Sequence, residues 1–153
     1  MIIDCGQAYT ATADNLSVPT TPSALDLLQV VAGSFPVLIT RIYASCSVAP
    51  TAFQRIIALR RSTASTGGGS VTVNPQGAGG PAAGFTVNSI CTTLGTAGVN
   101  LDNQIWAQPA PYQFDLTPRG ILIPASGFYS LYLPVAPGTS YAADFTIEAI
   151  EIK

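Results

Sequence analysis

The sequence predicts an all-β chain: an antiparallel β-sandwich, jelly-roll-like, with one short helix near residues 23–32. Three observations lead there. Short apolar runs recur with a period of two, most cleanly where Ala143, Phe145, Ile147 and Ala149 alternate with Asp144, Thr146, Glu148 and Ile150. Fourteen glycines and twelve prolines fall between these runs, and both residue types end strands in turns. No helical segments alternate with the runs, which disfavours a parallel βαβ sheet. A chain of 153 residues makes one domain. Residues 1–22 read as an N-terminal arm or edge strand, and 23–153 as a single sandwich domain with a long Gly-rich loop at 62–84.

In chain order, the helix comes first. Ser23 and Asp26 have the spacing of an N-cap and an acidic third helical residue. They open the run Ala24, Leu25, Leu27, Leu28, Val30, Val31, which stops at Gly33. Strands follow at 37–47 and 53–61. In the second of these Phe53, Arg55, Ile57 and Leu59 share one face and Gln54, Ile56, Ala58 and Arg60 the other. Apolar residues on both faces fit a strand inside a sandwich or at a subunit contact. Further strands are expected at 70–74, 84–90, 104–107, 112–116, 120–123, 127–133 and 142–152. Pro109, Pro111, Pro118, Pro124, Pro134 and Pro137 belong to turns or edges, because each lacks a ladder donor.

The stretch 62–84 is long, small-residue-rich and uncharged. Loops beyond about 12–15 residues are usually functional or disordered. It reads either as a mobile surface hairpin or as an arm that orders against a partner.

Charge excludes several functions. Charged residues are 9% of the chain, against a norm of about 25%. Six basic residues cannot build the cationic patch that displaces counterions from nucleic acid. There is no histidine, which removes His-based acid–base catalysis, Ser-His and Cys-His nucleophiles and His-containing metal sites. Gly67, Gly68 and Gly69 are no P-loop, since no lysine occurs before Lys153. Asp102 and Asp115 are the best remaining pair of catalytic carboxylates, and turn or strand-end positions account for both. Asn100, Asp102 and Asn103 offer oxygen ligands for calcium without a loop pattern such as DxDxDG. The expectation is no enzyme, no cofactor and no metal. No stretch approaches the roughly 20 apolar residues of a membrane span, and the first residues lack the basic and apolar regions of a Sec signal. Cys5, Cys46 and Cys91 lack CxxC spacing and read as thiols, with a Cys46–Cys91 disulfide left open. Trp106 with Tyr112, Phe114, Phe128, Tyr129 and Tyr132 reads as core and cross-strand pairs, or else as a carbohydrate platform.

Several segments resemble one family. They are Ile57-Ala58-Leu59-Arg60-Arg61-Ser62-Thr63, Thr66-Gly67-Gly68-Gly69, Val73-Asn74-Pro75, Trp106, Leu116-Thr117-Pro118, Ala136-Pro137 and Phe145-Thr146-Ile147-Glu148. In that rhythm the chain from Phe35 to Lys153 resembles the capsid decoration, or cement, proteins of tailed bacteriophages. The resemblance implies a structural virion protein made in the host cytoplasm and placed on the outer capsid surface. It implies a homotrimer that staples neighbouring copies of the major capsid protein. A carbohydrate-binding or adhesion module on a virion, or a neck or tail component, is the alternative. A glycan partner follows only from the alternative; nucleic acid and membrane are not expected partners. The residues expected at interfaces are Arg60 and Arg61 as polar contacts, Thr66, Gly67, Gly68, Gly69 and Ser70 as a contact loop, and Ile2, Ile3 and Tyr9 as a docking arm. The low charge acquires a positive meaning here, because a neutral surface loses little desolvation energy when packed between subunits.

Overall fold

The computed structural model describes residues 6–46, 54–106, 112–115 and 120–153, and gives the backbone alone over 103–106 and 112–115. It is all-β, with two antiparallel sheets packed as a sandwich and no helix among the described residues. The strands are β1 (Gln7–Val18), β2 (Leu25–Val31), β3 (Val37–Cys46), β4 (Gln54–Arg61), β5 (Gly69–Val71) and β6 (Val73–Pro75). They continue as β7 (Thr86–Cys91), β8 (Ala97–Trp106), β9 (Tyr112–Asp115), β10 (Ile121–Ile123), β11 (Phe128–Leu133) and β12 (Tyr141–Glu151). Sheet I has the order β10-β3-β12-β1-β6, with β9 also pairing with β3. Sheet II has the order β5-β7-β2-β11-β4-β8.

The strongest alternation in the sequence becomes β12, where every second residue from Tyr141 to Glu151 is buried. That strand lies between β1 and β3 with one face on the core, so period two is the pattern burial imposes. The core lies between the sheets: Tyr9, Ile39, Ile42, Phe145 and Ile147 from sheet I meet Leu28, Val30, Ile56, Tyr129 and Leu131 from sheet II. Tyr9 and Phe85 stack edge to face with centroids 5.5 Å apart.

The expected helix at 23–32 is a strand instead. Leu25 to Val30 are buried without interruption, because β2 is flanked by β7 and β11 and covered on both faces. A continuous apolar run fits a doubly buried strand as well as it fits a short helix, and lateral pairing decides between them. Leu27 bulges out of the ladder to β11, since Leu28 faces Leu131 while Asp26 faces Tyr132. Asp26 therefore caps no helix. Of the segment 1–22, Gln7–Val18 is β1, paired with β12 over most of its length. The segment 62–84 contains β5 and β6, and β8 starts at Ala97, well before the expected strand at 104–107.

Candidate functional site

Arg60 and Arg61 end β4, and adjacent strand residues point to opposite faces. Arg60 projects on the side of Ala58 and Ile56, which belong to the core between the sheets. Its Nη2 donates to the Leu122 carbonyl at 2.8 Å, tying sheet II to β10 at the rim of sheet I. Arg60 is exposed, and it covers a carbonyl on an edge strand, where unpaired backbone groups invite foreign pairing.

Arg61 points the other way, onto the outer face of sheet II, and is buried there. Its Nε donates to Asp26 Oδ2 at 2.7 Å and its Nη2 to Asp26 Oδ1 at 2.5 Å, a two-pronged pair. Its Nη1 donates to the Gly95 carbonyl at 2.7 Å, and its guanidinium lies 5.1 Å from the centre of the Tyr132 ring. Asp26, 0% exposed, accepts two more bonds, from Ser65 Oγ at 2.6 Å and Ser130 Oγ at 2.8 Å. Ser65 Oγ in turn accepts the Gly95 N–H at 2.8 Å. The Gln29 amide, oriented by its surroundings, accepts the Ser65 N–H at 2.8 Å and donates to the Ser65 carbonyl at 3.1 Å. Every charge in this cluster is paired and hydrogen-bonded, the condition on which ionised groups survive burial.

What the cluster holds is a pair of crossing segments. The chain leaves β4 at Arg61 and must reach β5 at the far rim of sheet II, so 62–68 crosses the outer face over β11 and β2. The chain leaving β7 crosses back to β8 through 92–96. The two run antiparallel. Ser62 N–H bonds Thr96 O at 3.0 Å, Thr66 and Thr93 exchange bonds at 2.8 and 3.0 Å, and Thr96 N–H bonds Thr63 Oγ1 at 2.7 Å. Ile57 and Leu59 are buried on this face, although they lie outside the central core cluster. The run of three glycines has a packing reason. A Cβ on Gly68 would lie 2.6 Å from the Ser89 carbonyl and 2.7 Å from Cys91 Sγ, so only glycine lets this crossing lie so close to β7.

Thr66, Gly67 and Gly68 are thus brought together with Gly69 and Ser70, the first residues of β5, as an exposed, uncharged stretch rooted at the buried Ser65. Arg60 and Arg61 are adjacent to that system without belonging to the stretch. Tyr9 is elsewhere, buried in the core with its hydroxyl donating to the Ala82 carbonyl at 3.5 Å. Ile2 and Ile3 lie outside the described residues, as do the side chains of Trp106, Tyr112, Phe114, Asp115 and Asn103. Asp102 is half-buried on β8 and Asn100 is exposed. Asp26, Gln29, Ser65, Gly95 and Ser130 were not singled out as a group from the sequence. The signal was there: two polar residues, Asp26 and Gln29, interrupt a run otherwise apolar from Leu25 to Val31. Buried positions of that kind demand partners.

Cys91 faces Asp26 across the β2–β7 ladder, and Cys46 ends β3 in the other sheet. Both are thiols, so the open question of a Cys46–Cys91 disulfide is answered by two separate sulfurs. Burial first, and the Asp26 charge second, push the Cys91 thiol from about 9 up to about 11, with the Arg61 charge opposing. The folded state therefore favours the neutral thiol. The stability this contributes is present below pH about 9 and is lost as pH rises through about 11. A two-unit rise implies about 100-fold less thiolate at pH 8. In a Cys5→Ser/Cys46→Ser background, iodoacetamide should alkylate Cys91 at least that much more slowly in the folded than in the denatured chain. Equal rates would contradict its enclosure under the crossing segment.

No protein-family model matches the chain. No curated protein matches it. Among solved structures it is similar to a chain from the structure of infectious bursal disease virus, Gt strain, at 15% identity and a TM-score of 0.23. That alignment covers 97% of this chain and 41% of the other, so this chain spans less than half the length of the one it matches. At that score the likeness carries no argument.

Proposed function

We propose that this protein is a structural, non-enzymatic virion protein, a decoration protein that binds the outer surface of a tailed-phage capsid and staples neighbouring major capsid subunits, acting with copies of itself. The fold reading that goes with it is a jelly roll. One observation carries it, the nesting of strand pairs. β1 pairs with β12, β2 with β11, β3 with β10, and β4 with β8, and these pairs fall alternately in sheet I and sheet II. Nested pairs that alternate between two sheets are what one long antiparallel hairpin makes when it wraps around itself. β5, β6 and β7 are then an insertion between β4 and β8. Jelly rolls recur in viral shells.

The surface chemistry supports the same reading. The stretch Thr66 to Ser70 has no charge to desolvate, and it is rooted in a buried ionic cluster, so docking it costs little ordering entropy. Many copies, each touching more than one shell subunit, would reinforce a shell through avidity rather than chemistry.

The test uses shells purified without this protein. Adding the protein is expected to raise the temperature at which the shells open. Thr66→Glu/Ser70→Glu, at two exposed positions, is expected to weaken shell binding at least tenfold while the protein's own melting is unchanged. An opening temperature insensitive to the wild-type protein would overturn the proposal.

A further inference from the structure

β1 and β12 run side by side from the pair Gln7–Glu151 to the pair Val18–Tyr141, and near the second end β1 carries an extra residue. Asp14 and Asn15 together oppose Asp144, a β-bulge between the pairs Ala13–Phe145 and Leu16–Ala143. Asn15 has a φ of +52°, in the left-handed region that asparagine tolerates better than most residues. The bulge shifts the alternation by one. Ala11 and Ala13 face the core before it, and Leu16 and Val18 after it. Ser17 is therefore turned outward, opposite Ala142.

Polar groups gather there on the outer face of sheet I. Ser140, Ala142 and Asp144 share one side, since Tyr141, Ala143 and Phe145 point into the core. Ser45 faces Asp144 across the ladder to β3. Tyr43, half-buried on the same face, stands one diagonal step, about 7–8 Å, from Asp144. Asn15, Ser17, Ser140, Tyr141 and Ala142 line a depression of about 310 Å³. That volume lies at the small end of ligand sites, which run from about 300 to 1,000 Å³. Asp144 adjoins it through Asn15. Its Oδ1 accepts the Asn15 backbone N–H at 2.6 Å, so the bulge itself aims the carboxylate.

The lining selects the chemistry of a ligand. It contains no cation, and Asp14 is exposed on the same bulge, so phosphates and carboxylates are repelled. Among the described residues the strands of sheet I carry one cation, Arg41, which Glu148 holds at 3.6 Å. An apolar ligand would leave the Asn15 amide and the Ser17 and Ser140 hydroxyls without partners. A sugar satisfies all of these groups. Its hydroxyls donate to the Asp144 carboxylate and exchange bonds with Asn15, Ser17 and Ser140, while its C–H faces meet Ala142 and Tyr43.

We propose that this depression binds the neutral pyranose end of a glycan, with Asp144 as the principal hydrogen-bond acceptor. The site goes beyond the proposed function and needs no shell. It uses none of the aromatic residues around Trp106 on which a carbohydrate platform was expected.

Saturation-transfer NMR with the methyl glycosides of glucose, galactose, mannose and N-acetylglucosamine is the test. Wild type is expected to bind at least one of the four. The methyl glycoside of glucuronic acid, which adds a carboxylate, is expected to bind at least tenfold more weakly than the best of them. Ser17→Trp fills the depression from an exposed position and is expected to lower affinity at least tenfold with melting unchanged. Where Ser17→Trp itself melts early, Ser140→Trp, placed just before β12, gives the same readout. Asp144→Asn keeps an oxygen for the Asn15 N–H but accepts sugar hydroxyls more weakly, and is also expected to weaken binding. No binding to any of the four sugars, equal binding of the glucuronide, or affinity undiminished in the tryptophan variant or in Asp144→Asn would overturn the inference. A protein that bound no sugar and still raised the shell opening temperature would sink this site and leave the proposed function standing.

Discussion

Asp26→Asn is expected to lower stability by about 3–5 kcal/mol, the usual cost of removing one partner from a buried ion pair. For a domain of this size that corresponds to a fall in Tm of roughly 6–20 °C. The reason is the number of donors aimed at one carboxylate. Arg61 gives two bonds, and Ser65 and Ser130 give one each, all inside the protein. Asn leaves the Arg61 charge buried with no counter-charge. The double replacement Asp26→Leu/Arg61→Met removes both charges and is expected to cost less than Asp26→Asn alone. Denaturant unfolding of the three variants decides the matter. A cost below about 1 kcal/mol for Asp26→Asn would show that the cluster does not anchor the crossing segments.

The second large effect is expected at Gly95. A Cβ there would fall inside the Thr63 carbonyl oxygen and press on Ala64, both backbone of the facing segment. Neither can move without breaking the bonds that join 62–68 to 92–96. Overpacking of this kind costs about 1–3 kcal/mol. Gly95→Ala should therefore separate the segments, exposing the Ser62, Thr66, Thr93 and Thr96 amides that now bond across them. Hydrogen exchange at these four amides is the readout. In wild type they should exchange slowly, like strand amides, and in Gly95→Ala much faster. Fast exchange in wild type would mean that the crossing segments are not held.

The parts of the fold readable in sequence are those where one neighbour differs from the other. In β12 one face meets the core and the other meets water, so the pattern stands out in Tyr141 to Glu151. β2 has no such contrast, because sheet neighbours and a crossing segment bury it from every side. Its composition alone could not separate strand from helix. The first half of β8 was hidden for the opposite reason: from Ala97 to Leu101 every residue is exposed, and only the ladder to β4 makes it a strand.

The candidate site divides in the same way. The uncharged stretch from Thr66 to Ser70 is a compositional feature and was visible at once. Opposite orientations for Arg60 and Arg61 followed from strand geometry, and the structure places one at the rim of sheet I and the other under the crossing segments. That Arg61 is internal was not readable, because its partner Asp26 lies 35 residues away. Sandwiches are built from such distant pairings.

Electron cryomicroscopy of particles assembled with and without this chain tests the central claim most directly. Added density is expected on the outer shell surface, at junctions between major capsid subunits. Density confined to the neck or tail, or no difference between the two particles, would contradict it.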